Sequence, residues 1–151
     1  MIELQKAIFN AMKADSELLN LLGLDPAVTE ADISKRLLPA SPQRLAEDCF
    51  IHFWQPISSK SRRNFLFENR NIQFRIFDKD ESLSNQQTIS ERLQFIFVGN
   101  DTEGGAVQVP SLQGYEDIEY VAEGAIPGVT GSGHYGWYLE LIFQNVVKYS
   151  R

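Results

Sequence analysis

Apolar residues along the chain change their spacing several times, and each change marks an element. Between Ile2 and Leu22, Leu4, Ile8, Met12, Leu18, Leu19 and Leu22 recur at helical spacing, with Asp15-Ser16 offering a cap midway. That pattern predicts one bent helix or two short ones, ended by Gly23. Thr29-Glu30-Ala31-Asp32 has the form of a capping box with Asp in the last position, ahead of a short helix over Ile33 to Leu37 that Pro39 and Pro42 close.

The period then shortens. Cys49 to Gln55 is a dense apolar and aromatic run stopped by Pro56, which predicts a strand. Lys60-Ser61-Arg62-Arg63 makes a basic hairpin or loop, and after it Ile72, Phe74 and Ile76 alternate with Gln73, Arg75 and Phe77, the period-2 pattern of a strand with one covered face. These two strands are expected to pair antiparallel. Ser82 or Ser84 then caps a helix whose stripe of Ile89, Leu93, Ile96 and Phe97 lies opposite Glu91, Arg92 and Gln94.

Residues 99–114 are turn-rich and too long for a simple connector, so they are expected to form a flexible loop or an arm. Tyr115 to Ala125 reads as a strand with Ile118, Tyr120 and Ala122 on one face. A second loop or arm is expected over 126–136, before the strongest strand pattern, Trp137, Leu139, Leu141 and Phe143. The element order predicts an α+β domain over 1–151, a mostly antiparallel β-sheet with helices packed on one face.

Charge and composition narrow the function. Twenty acidic residues against 14 Lys and Arg give a net charge of −6, the wrong sign for a protein that grips a duplex. The single cysteine, Cys49, sits among apolar neighbours in CFIHFW; it is expected to be buried, in a chain suited to a reducing compartment. The first residues carry early acids and lack a basic n-region and cleavage site, so no signal peptide is expected, and no apolar run reaches the roughly 18 residues of a membrane span. Asn100-Asp101-Thr102 is read as an accidental sequon.

Motifs for chemistry are weak. Gly131 to Gly136 matches G-x-G-x-x-G but precedes a strand and opens no helix, so it predicts a glycine-rich hairpin or arm and no dinucleotide cofactor. His52, His134 and Cys49 are too few for a zinc site, and Asp78, Asp80 and Glu81 lack the Gly and Glu of a calcium loop, so no metal is expected. Those acids are read as solvated charges at a turn and helix start. Ser132 and His134 have no indicated third member, and Glu116, Asp117 and Glu119 read as a solvated face, so an enzyme is not expected. The basic group Lys60, Arg62 and Arg63, with Arg70 and Arg75 nearby, is the candidate partner-facing patch.

LQKAIFNAMKADSELLNLLG, CFIHFW and IQFRIFDKDESLSNQQTISERLQFIF, taken in that order, resemble the tail terminator, or tail-completion, proteins of long-tailed bacteriophages. The resemblance covers residues 1–99 in pattern and the last strand in position; 99–136 departs from it. It implies a non-enzymatic virion protein of the tail or neck, assembled in the host cytoplasm, typically as a hexameric ring. Such a ring caps the finished tail tube, contacts the tube protein and the head connector or stopper, and lets DNA pass its lumen without specific binding and with no membrane. Another neck or tail-tube subunit is the alternative, and a small enzyme a more distant one.

Overall fold

The computed structural model describes residues 2–25, 29–39, 49–54, 58–60, 67–99 and 117–146. Four helices, α1 (Ile2–Lys13), α2 (Ser16–Leu21), α3 (Glu30–Ser34) and α4 (Ser84–Phe97), accompany six strands: β1 (Leu37–Leu38), β2 (Cys49–Trp54), β3 (Ser58–Lys60), β4 (Phe67–Asp78), β5 (Asp117–Val129) and β6 (Tyr135–Val146). The strands form one sheet in the order β1-β2-β4-β6-β5, with β3 beside the first part of β4. Only β1 on β2 is parallel among the described pairs, so the architecture is α+β on a mostly antiparallel sheet.

Register decides which residues build the core. Ile51 and Phe53 of β2 lie opposite Ile76 and Phe74 of β4, and Phe74 and Ile72 lie opposite Leu139 and Leu141 of β6. Directly opposed residues share a face, and all seven side chains are buried. The helices cover that face with Leu4, Ile8 and Met12 of α1, Leu18 of α2, and the expected Ile89, Leu93, Ile96 and Phe97 stripe of α4.

The amino-terminal pattern resolves into two helices because Asp15 caps the second. Its carboxylate accepts from the Leu18 amide at 2.8 Å, and Gly23, at φ +81, ends the run. The same carboxylate takes two bonds from the Arg92 guanidinium of α4, at 2.8 and 3.2 Å, while Glu17 accepts a third at 2.9 Å. Arg92 is held further above its ordinary pKa, chiefly by the Asp15 hydrogen bond. Asp15→Ala is expected to lower stability by about 1–2 kcal/mol in urea titration, since it removes a cap and one arm of a half-buried ion pair while Glu17 keeps the guanidinium partnered. A change within about 0.3 kcal/mol would contradict the capping role.

Five local expectations are corrected. The short helix runs over Glu30–Ser34 rather than Ile33 to Leu37, because Leu37 is buried as a strand residue opposite Ile51. Thr29 does not cap it: the hydroxyl donates to the Asp32 carboxylate at 3.0 Å. Neither serine caps α4 directly. Leu83 is the residue before the helix, at φ 64, and the Asp80 carboxylate accepts from the Ser82 and Asn85 amides at 3.0 and 3.1 Å.

The other two corrections concern β5. A register shift between Tyr120 and Ala122 leaves Ile118 and Tyr120 opposite Phe143 and Leu141 on the helix-covered face but puts Ala122 opposite Glu140 on the other. The loop expected over 126–136 is mostly strand: Ile126 pairs with Gly136, Val129 pairs with Tyr135, and a tight turn closes through Thr130 N to His134 O at 2.9 Å. Because β6 stays paired to β4 as far as Asp78↔Tyr135, the turn ends level with the sheet. Of the other expected arm, 99–114, only Gly99 lies within the described residues.

Candidate assembly surface

Among the described residues the sheet ends at β5. β5 is 13 residues long and occupies the last place in the strand order, so its outer N–H and C=O groups have no partner strand among the described residues. Among the described residues, the exposed large hydrophobics, Tyr120 (47% exposed), Val121 (39%) and Val129 (55%), all lie on it. A long edge carrying apolar side chains is a template for another chain.

α4 holds this strand in place through one carboxylate. Glu123 accepts from the Ser90 hydroxyl at 2.9 Å and from Gln94 Nε2 and Trp137 Nε1, each at 3.3 Å. Glu123 also stands by the Tyr120 phenol, whose pKa is raised by desolvation first and by that carboxylate second. A carboxylate met by three donors fixes the strand against its helix, so the edge is presented by a rigid element. Sequence reading missed Glu123, because only the bulge at Tyr120/Ala122 turns it toward α4.

Of the candidate basic patch, Lys60 alone lies within the described residues. Lys60 ends β3, where its backbone pairs with Glu68, rather than a loop, while Arg62 and Arg63 lie outside the described residues. Arg75 is on the helix-free face, where it donates to the Gln73 side chain at 2.9 Å, and Arg70 lies opposite Ser58 on β4. β3 stands at the edge of the sheet opposite β5.

Residues first weighed for chemistry are fastened into the fold. The Ser132 hydroxyl meets His134 Nδ1 at 2.8 Å inside one tight turn, and the His134 ring is buried edge-on to Phe50 with centroids 5.3 Å apart. The G-x-G-x-x-G segment is that same hairpin turn and leads directly into β6, with no helix after it among the described residues. His52 is buried on the face opposite the helices; desolvation, then the charge of Arg75, lowers its pKa from the ordinary 6.5. Cys49 is buried, with the Asn85 amide 3.8 Å from its sulfur.

Asp78 takes the Asn85 side chain at 2.6 Å, and Asp80, lowered in pKa first by its Ser82 hydrogen bond, organises the turn before α4. No group of three or more His, Cys, Asp or Glu residues among those described is arranged to hold a metal ion. No helix among the described residues is long and apolar enough to cross a membrane.

No protein-family model matches the sequence, and no curated protein matches it. A match does come from solved structures: the chain is similar in fold to a chain in the virion of a native gene transfer agent particle, at a TM-score of 0.66 and 12% identity, over 95% of each chain. Near-complete coverage of both chains means that the shared feature is the whole sheet-and-helix arrangement, not a local motif.

Proposed function

We propose that this chain is a structural subunit of a virion that caps the tail tube as an oligomeric ring, ends tail elongation and joins the tail to the head connector. The observation that carries the reading is the end-to-end fold likeness to a virion component. It supports the coarser part of that reading, a virion structural protein, which the tail-terminator resemblance of residues 1–99 also implies. A rigid scaffold with an exposed terminal strand suits a subunit whose work is contact, and a net charge of −6 suits a lumen through which DNA slides without sticking. Acting by assembly alone, it needs no catalytic residue.

Deleting the reading frame from the genome that encodes it and imaging the particles by negative-stain electron microscopy tests this directly. Filled heads beside separate, over-long tails are the expected result. Heads with no tail tubes would move the assignment to a tube subunit, and normal infectious particles would overturn the structural role.

A further inference from the structure

We infer that successive copies of this chain join edge to edge, the Asp117–Tyr120 part of β5 in one copy adding to β3 of the next, so that the sheet continues around the ring. This rests on the reading of the chain as a ring subunit.

Strand count and direction argue for it. At the level of β3 the sheet is four strands wide: Ser59 lies opposite Asn69, Asn69 opposite Gln144, and Gln144 opposite Asp117. Every pairing in that row is antiparallel, so β3 and β5 run in opposite directions at its two ends. When identical copies repeat head to tail, an even row brings β5 of one copy antiparallel to β3 of the next; an odd row would bring them parallel. A contact between two different edges is heterologous, the kind that generates rings.

The rest of β5 is blunted. Beyond the Tyr120/Ala122 bulge it carries Pro127, which has no N–H to donate, and a second register shift between Ile126 and Val129. Below the bulge Glu119 and Tyr120 are exposed and the ladder is regular. The two edges also differ in charge: Asp117 and Glu119 lie on β5, and β3 ends at Lys60, where the basic run begins. Opposite charges favour joining β5 to β3 over joining two acidic β5 edges.

The test uses the full chain and reads its mass in solution by native mass spectrometry and sedimentation. Wild-type protein is expected as a closed oligomer of 17.2 kDa chains. A β5 variant, Asp117→Lys with Glu119→Lys, and a β3 variant, Ser58→Glu with Lys60→Glu, should each associate about a hundredfold more weakly, because each sets like charges against the opposing edge. All four substitutions in one chain should restore the oligomer, a rescue that a misfolded variant cannot show. Unchanged assembly in the single-edge variants, or no rescue in a chain with native circular dichroism, would overturn the edge contact and leave the ring reading standing. Dimers of the β3 variant beside monomers of the β5 variant would show two β5 edges meeting, which also overturns it. A wild-type chain that stays single would overturn edge joining between free copies, and the ring reading would then stand or fall on the deletion phenotype.

Discussion

Phe74→Ala lowers stability by about 3–5 kcal/mol, the cost of removing a large aromatic side chain from a packed interior. Phe74 is completely buried and lies where β2, β4, β6 and α4 meet. Its ring stacks on Phe97 of α4 at 5.6 Å and on Phe53 of β2 at 6.3 Å, and Phe97 in turn meets Phe143 of β6 edge-on at 5.7 Å. Deleting it opens a cavity under the helix that neighbours on three strands cannot close together. Domains of this kind are stable by about 5–15 kcal/mol, so the variant is expected to lose roughly a fifth or more of the total. The check is a urea midpoint shifted down at unchanged m-value, beside Phe77→Ala, which removes a half-buried ring on the opposite face of the same strand and costs less. Equal losses for the two would mean that the core is not where α4 is seated.

Phe74 also shows why this part of the fold was legible in the sequence. Ile72, Phe74 and Ile76 on β4, and Leu139, Leu141 and Phe143 on β6, sit between neighbouring strands and under helices, so burial imposes a strict period of two. α4 likewise has a single apolar face to bury. Legibility fails where tertiary pairing outweighs local preference. Leu37 joins a sheet because β2 offers it a parallel partner, and nothing in the surrounding residues announces that. The bulge in β5 is hidden for a related reason: on an edge strand both faces are partly wet, so Ile118, Tyr120 and Ala122 can be written in alternation while the backbone shifts by one residue between them. The same hidden shift turns Glu123 toward α4, and with it goes the fastening of the candidate surface. The basic cluster Lys60, Arg62 and Arg63 was visible as charge, but that β3 lies at the edge opposite β5 depends on the order of strands, which periodicity does not encode.

Gln86→Leu is expected to cost about 2–4 kcal/mol, although glutamine in the first turn of a helix looks dispensable in the sequence. The side chain is fully buried, and its Nε2 donates to the carbonyls of Asp80 and Tyr135, each at 3.0 Å, with that of Asp78 at 3.4 Å. One amide therefore ties the start of α4 to the end of β4 and the start of β6, three segments that meet beside the β5–β6 turn. Leucine fills nearly the same space but donates nothing, so the Asp80 and Tyr135 carbonyls, on half-buried residues, each lose a donor at about 1–2 kcal/mol, the Asp80 carbonyl keeping the Leu83 amide at 3.3 Å. The lower end of the range applies because Gln86 Oε1 is itself buried without a partner among the described residues, and leucine removes that orphan too. Gln87→Leu, one residue on and exposed, should stay within about 0.5 kcal/mol. Hydrogen exchange separates this mechanism from general loosening: amides in the first turn of α4 and at the β5–β6 turn should exchange faster, while those in the middle of β4 follow only the global change. If Gln86→Leu and Gln87→Leu proved equally mild, the amide would not be what joins helix to hairpin, and the rigid presentation of β5 would rest on Glu123 alone.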